Sequence, residues 1–247
     1  MLPLELYYAP TPNGWKVTIF LEEADVPYKV VPLDLGAGDQ FTESFLKISP
    51  NGRMPAVYDP NMQMSVFESG AIMIHVADNY PGARWLLPVD PRPRAKVLEW
   101  LFWVNAGLGP MAGQASHFKY YAPVLDKSAD HHYGQHRYTK EFERLVSVMD
   151  RQLGNTGQFL AGPYSIADIA AYPWVKPWKR WMGKSLEASG YTNVQRWYDS
   201  IKARPAENRG MAVLRKQAVA SQAVRESGTL PDGALSTLFQ KRADSKL

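Results

Sequence analysis

Over the first 84 residues the apolar positions switch repeatedly between the period of a strand and that of a helix. Leu4 to Tyr8 is a short apolar and aromatic run that stops at the turn-rich Ala9-Pro10-Thr11-Pro12-Asn13-Gly14, which predicts a strand feeding a loop. Val17, Phe20, Leu21 and Ala24 then recur at helical spacing until Val26–Pro27 breaks the pattern. Tyr28 to Leu33 alternates as a second strand, and Gln40 to Ile48 carries the helical stripe Phe41, Phe45 and Ile48. Met54 to Tyr58 and Met64 to Phe67 read as two short strands joined by the turn Asp59-Pro60-Asn61. Glu68 to Tyr80 returns to helical spacing and ends at Pro81-Gly82. The order β-α-β-α-β-β-α predicts an α/β sandwich of thioredoxin type.

Beyond the proline-rich stretch Leu86 to Pro93 the strand signals fade and long helical patterns take over. They cover Arg94 to Tyr121, about Ser128 to Leu153, Ile166 to Trp181, and Val194 to Ala203. The expectation is therefore α/β followed by all-α: residues 1–85, then a helical bundle over 94–215, then an extension over 216–247 that loses periodicity. Within the helical part, Ser165-Ile166-Ala167-Asp168 is a helix-start signature. The Asp168 carboxylate can accept from the Ser165 amide, and Tyr164 and Ile169 can staple across the first turn.

Composition narrows the chemistry. The chain has 247 residues and no cysteine, which removes disulfide frameworks, thiolate metal sites and a cysteine nucleophile. No apolar stretch approaches the ~20 residues of a membrane span. The N-terminus lacks a basic region followed by a long apolar run, so a cytoplasmic protein is expected. Residues 1–84 hold five basic and ten acidic side chains, whereas 85–247 hold 23 and 14. The basic residues are dispersed among acids and tryptophans, which reads as solvated helix or a rim for small anions, not a nucleic-acid footprint. His131, His132 and His136 lack a third-ligand pattern, so no metal is expected and a solvated helix start is preferred.

Three segments could carry chemistry. Thr11-Pro12-Asn13-Gly14 ends a strand and starts a helix, where free amides attract an anion or stabilise a thiolate; the alternative is an ordinary cap. In Gly52-Arg53-Met54-Pro55-Ala56, a cis bond before Pro55 would hold the Met54 backbone open to an extended peptide; a trans proline opening an edge strand is the alternative. In Phe67-Glu68-Ser69-Gly70, Ser69 and the following amides could take a carboxylate and Glu68 an ammonium, or Ser69 could simply cap the helix. Together the three describe subsites for an amino-acid head, a peptide backbone and a sulfur or other anion. Glutathione has all three.

The runs YYAPTPNGWKVTIFLEE, LDLGAGDQFTESFLKISPNGRMPAV and VFESGAIMIHVADNYP resemble the N-terminal domain of glutathione transferases. WLFWVNAGLGPMAGQ, GPYSIADIAAYPWV and NVQRWYDSIKARPA resemble the helical domain of the same superfamily. The TPNG loop, the GDQF segment and the GLGPM helix are similar to the bacterial Nu class, and the likeness covers roughly residues 4 to 215. It implies a glutathione-binding thioredoxin-like domain, a helical domain carrying the second-substrate pocket, and a homodimer. Carried over, Thr11 and Asn13 face the glutathione sulfur, Met54 before a cis Pro55 pairs with the cysteinyl backbone, Glu68 and Ser69 hold the γ-glutamyl end, and Gln40 sits near the glycyl end. Arg137 matches an arginine that reaches glutathione across the dimer, although the flanking HHYGQHRYTK departs from the class pattern. The stripe Met111, Gln114, His117, Phe118 and Tyr121 is assigned to the second-substrate pocket. Tyr7 and Tyr8 are read as strand packing.

Neither Thr nor Asn is a base at neutral pH, so activation of the thiol would be electrostatic. The implied activity is glutathione-dependent reduction of a small-molecule disulfide. Conjugation or thiolytic cleavage of aromatic electrophiles, peroxide reduction, and a non-enzymatic glutathione-binding regulator are the alternatives.

Overall fold

The computed structural model describes residues 1–216. The first part contains β1 (Leu4–Tyr8), α1 (Pro12–Glu23), β2 (Tyr28–Pro32), α2 (Glu43–Ile48), β3 (Ala56–Asp59), β4 (Met64–Phe67) and α3 (Ser69–Asn79). The sheet order is β2-β1-β3-β4, with β1 parallel to β2 and antiparallel to β3, and β4 antiparallel to β3. This is the thioredoxin-like arrangement that the periodicity predicts. Alternation along β1 sends Leu4, Leu6 and Tyr8 into the core shared with α1 and α3. Tyr7 points to the other face, where its ring lies 5.7 Å from that of Phe45 on α2.

The helix expected over Gln40–Ile48 is divided. A 3-10 turn spans Asp39–Phe41, and α2 restarts after Thr42, whose hydroxyl accepts from the Phe45 amide at 3.4 Å.

The second part comprises α4 (Pro91–Trp103), α5 (Gly109–Ser116), α6 (Ala122–Leu125), α7 (His132–Thr156), α8 (Ile166–Val175), α9 (Trp178–Met182), α10 (Thr192–Lys202) and α11 (Pro205–Ala212). The proline-rich stretch belongs partly to α4: Pro91 and Pro93 occupy its first turn, where missing amides cost nothing, and Asp90 caps it by accepting from the Arg92 amide at 3.0 Å. The pattern Arg94–Tyr121 is interrupted twice by π-helical turns, at Val104–Leu108 and His117–Tyr121. α7 starts later than Ser128 because Asp126 and Asp130 hold local turns, accepting from the Ser128 and His132 amides at 3.0 and 2.9 Å. The pattern Ile166–Trp181 splits at Pro177, which cannot continue the ladder of α8. α11 was not foreseen from the sequence.

One apolar cluster runs from β1 through α1, α3, α4 and α8 to Ile201 on α10. α1 lies at its centre. At the Gly210 position of α11, a Cβ would come within 2.7 Å of the Ile19 backbone, so glycine permits this close approach. Arg204 reaches back to Glu23 at 2.5 and 2.9 Å and stacks 4.1 Å over the Tyr164 ring, tying the end of α1 to the helical part. Apart from Lys216, the extension expected over 216–247 lies outside the described residues. Among those described, no helix is long and apolar enough to cross a membrane.

Candidate active site

The loop after β1 turns directly into α1. Thr11 is its N-cap, with extended backbone, and its hydroxyl accepts from the Gly14 amide at 3.3 Å while lying 3.5 Å from Met54 Sδ. Gly14 is sterically required here. A Cβ would lie 2.3 Å from the Ala9 carbonyl oxygen and 2.9 Å from the Met54 methyl. Asn13 stands on the first turn of α1, and its side-chain amide makes no hydrogen bond among the described residues. The Met54–Pro55 bond is cis. Glu68 has φ +71°, a conformation that L side chains seldom adopt, and it directly precedes Ser69 at the start of α3.

Two cavities meet at these segments. The smaller, about 580 Å³, is lined by Lys16, Pro55, Glu68, Ser69 and Asn105, and on its far wall by Gln114 and His117. The larger, about 770 Å³, is lined by Thr11, Trp15, Gln40, Tyr121, Trp181 and Lys176. Asn13, Arg53, Met54, Gly113 and Trp174 line both. The wall facing α1 comes from α5, from the π turns that flank it, and from the end of α8. Such bulges aim side chains out of the regular ladder, here Asn105 in the first turn and His117 and Tyr121 in the second.

Burial and charge differ between the cavities. Lys16 is 2% exposed; burial pulls its ammonium down to about 7, and the nearby Glu68 carboxylate acts in the opposite direction. In the larger cavity, Glu207 is buried and accepts from Lys176 at 2.8 Å and from the Tyr172 hydroxyl at 2.8 Å. The indole N–H groups of Trp15, Trp174 and Trp181 are buried with no acceptor among the described residues. The Tyr8 phenol is fully buried, held well above its usual pKa by desolvation, and donates to the Val213 carbonyl at 3.4 Å. It is a packing group. Among the described residues, no cluster of three or more His, Cys, Asp or Glu side chains is arranged to hold a metal.

The loop that caps α1, the cis-proline edge and the start of α3 thus come together at one end of a single thioredoxin-like sheet. Residues 2–78 match the family model for the glutathione S-transferase N-terminal domain, and 133–200 match that for the C-terminal domain. The chain belongs to the glutathione S-transferase family. It is 42% identical over 219 residues to the disulfide-bond oxidoreductase YfcG of Escherichia coli, covering 87% of this chain and 96% of that protein. Identity to the Escherichia coli disulfide-bond oxidoreductase YghU is 36% over 237 residues, 91% of this chain and 79% of that one. A glutathione transferase from Pseudomonas putida, solved with one glutathione disulfide per subunit, superposes with a TM-score of 0.77 at 36% identity, covering 86% and 92% of the two chains.

The sequence-predicted residues fall into groups around the two cavities. Asn13 and Met54 line both cavities; Thr11 and Gln40 line the larger, and Pro55, Glu68 and Ser69 the smaller. Gln114 and His117 face the smaller cavity and Tyr121 the larger, so that one expected stripe is shared between them. Met111 packs against the core and lines neither. Phe118 stacks on Tyr138 at 5.3 Å and meets His117 edge to face at 5.5 Å, also outside the linings. Arg137 projects from α7, half exposed, 3.6 Å from Glu141.

Sequence reasoning passed over Lys16, Asn105, Lys176, Arg180 and Glu207, all of which line a cavity. Lys16 sits amid an apolar helical pattern, and that misfit was the available signal. Trp174 is both buried and a wall of both cavities.

Proposed function

We propose that the chain is a glutathione-dependent disulfide-bond oxidoreductase of Nu-class type. The observation that carries this reading is the position of Asn13: its unbonded amide lines both cavities, so a sulfur beside it faces each of them. The names of the two Escherichia coli relatives and the glutathione disulfide held by the Pseudomonas putida neighbour support the same reading.

In this reading the γ-glutamyl end lies on Glu68 and Ser69, the Met54 backbone pairs with the cysteinyl unit, and Gln40 lies towards the glycyl end. Residues 1–85 then serve as the glutathione-binding unit and 94–215 as the second-substrate unit. Asn13 donates to the sulfur, and Thr11 joins it by turning its hydroxyl away from Met54 Sδ. These donors and the positive end of α1 favour the thiolate without removing its proton themselves. The thiolate attacks one sulfur of a bound disulfide, forming a mixed disulfide and releasing the other half as a thiolate that takes a proton from water. A second glutathione thiolate attacks the mixed disulfide, giving glutathione disulfide and the second thiol. Both electrons come from glutathione, as they must in a chain without cysteine.

A cytoplasmic homodimer is the expected assembly, with Arg137 reaching the glutathione of the other subunit. The indole-rich wall of the larger cavity supports a second reading, conjugation of aromatic electrophiles, which a substrate panel separates from disulfide reduction.

The test is reduction of hydroxyethyl disulfide by wild type, Asn13→Ala and Thr11→Ala. A hydrogen bond to a charged group contributes about 1.5–3 kcal/mol, so Asn13→Ala is expected to lose roughly tenfold to a hundredfold. Thr11→Ala should lose less, because its hydroxyl is already engaged with Gly14 and Met54. Undiminished turnover in Asn13→Ala overturns the assignment.

A further inference from the structure

Lys16 is a buried ammonium with no carboxylate in salt-bridge contact among the described residues, although Glu68 is near enough to act on it. It is 2% exposed, donates to Asn105 Oδ1 at 2.9 Å and to Ser69 Oγ at 3.3 Å, and forms no ion pair among the described residues. Both partners are neutral, and a buried charge is costly unless an opposite charge compensates it. The Trp174 ring lies 5.8 Å away and adds only a weak cation–π attraction. Lys16 nevertheless lines the smaller cavity together with both its partners and Glu68. The arrangement is specifically accommodated: a Cβ at Gly70 would lie 2.2 Å from Asn105 Nδ2, so only glycine lets this asparagine of the helical part reach Lys16 unhindered. Asn13 stands three residues earlier, on the same face of α1.

We propose that Lys16 is a positioning residue that recognises the γ-glutamyl carboxylate of glutathione, acting through Ser69 and Asn105 as the cation beneath that subsite. The inference rests on the glutathione reading above and extends it to a residue that does not touch the sulfur. Glutathione brings the carboxylate that Lys16 lacks, and Glu68 is left to face the ligand's ammonium.

Proton uptake follows. Without ligand the Lys16 ammonium is pulled down to about 7 by burial, so it is partly neutral above that pH. A carboxylate arriving over Ser69 favours the charged form, and binding should draw a proton onto Lys16. The other groups facing this site are few. Glu68 comes from the start of α3 and Arg53 from the cis-proline loop. His117 lies on the opposite wall, with its pKa lowered by burial. Trp174 is the contribution of α8. Glu207, on α11, is engaged with Lys176 and Tyr172 in the other cavity. Burial pushes His117 down, away from Lys16, so the window around pH 7, below that in which the ligand's own ammonium titrates, belongs to Lys16.

The test is calorimetric binding of S-methylglutathione, which has no thiol to titrate, to the full chain between pH 6.5 and 7.5, where the ligand's amino group stays protonated, in buffers of different ionisation enthalpy. Wild type should take up a proton and lose up to about tenfold in affinity per pH unit above 7. Lys16→Met should bind at least tenfold more weakly at pH 6.5 with a flat pH profile. Lys16→Arg, which keeps a permanent cation and guards against misfolding of the methionine variant, should bind without proton uptake at any pH in the range. Wild-type proton uptake and pH slope persisting in either variant overturn the role of Lys16 and leave the glutathione reading intact. Failure of wild type to bind S-methylglutathione overturns both.

Discussion

Asp168 offers the sharpest test of how the helical part is held together. Its carboxylate is fully buried and collects four donors: the Leu160 amide at 3.0 Å, the Ser165 amide at 3.1 Å, the Ser165 hydroxyl at 3.1 Å and the Trp197 indole at 2.9 Å. These donors belong to the loop before α8, the N-cap of α8, and α10. Asp168→Ala strands three buried N–H groups, because the serine hydroxyl alone can rotate to another acceptor. Each stranded donor costs about 1–3 kcal/mol, and relief of the desolvated charge offsets part of the sum, so the net loss should be about 3–5 kcal/mol. Urea unfolding followed by tryptophan fluorescence measures it. A loss below about 1 kcal/mol refutes the reasoning.

Asp168 also predicts a pH signature. Burial outweighs the four hydrogen bonds and pushes the carboxyl up to about 6. Between about pH 4 and 6 the folded chain therefore binds a proton that the unfolded chain does not. Lowering the pH through this window stabilises the wild type relative to any variant that cannot titrate. The stability deficit of Asp168→Asn should widen as pH falls from 7 to 4, and a deficit that narrows contradicts the desolvation argument.

Three further outcomes follow from individual contacts. Tyr8→Phe removes a phenol that packs in the core and points at Val213, so disulfide reduction should stay within about twofold of wild type; a hundredfold loss would make Tyr8 the sulfur-activating group. Gly14→Ala drives a methyl against the Ala9 carbonyl at 2.3 Å, displacing the start of α1, and should cost about 1–3 kcal/mol in urea unfolding together with a marked rise in KM for glutathione. Arg204→Leu leaves the nearly buried Glu23 without its bidentate partner; with Arg204 itself about a third exposed, the expected loss of stability is about 1–2 kcal/mol with kcat unchanged at low temperature.

The sequence by itself determined the layer order, because alternation in β1 and the 3.6-residue period of α1, α3 and α7 are properties of local burial that each segment carries alone. It also marked the three chemical segments, Thr11–Gly14, Met54–Pro55 and Glu68–Ser69, since turns, caps and proline edges leave local signatures. The Ser165–Asp168 cap was legible for the same reason: both partners lie within one turn. Periodicity could not divide Ile166–Trp181 or foresee the π turns in Arg94–Tyr121, because apolar spacing persists across a break that only the hydrogen-bond ladder registers.

Only the tertiary structure decided which side chains share a cavity. Lys16 meets Ser69 and Asn105 from 53 and 89 residues away, and Glu207 meets Lys176 across 31. The charge balance of each cavity is set by these distant encounters, which are not written in the spacing of any one segment.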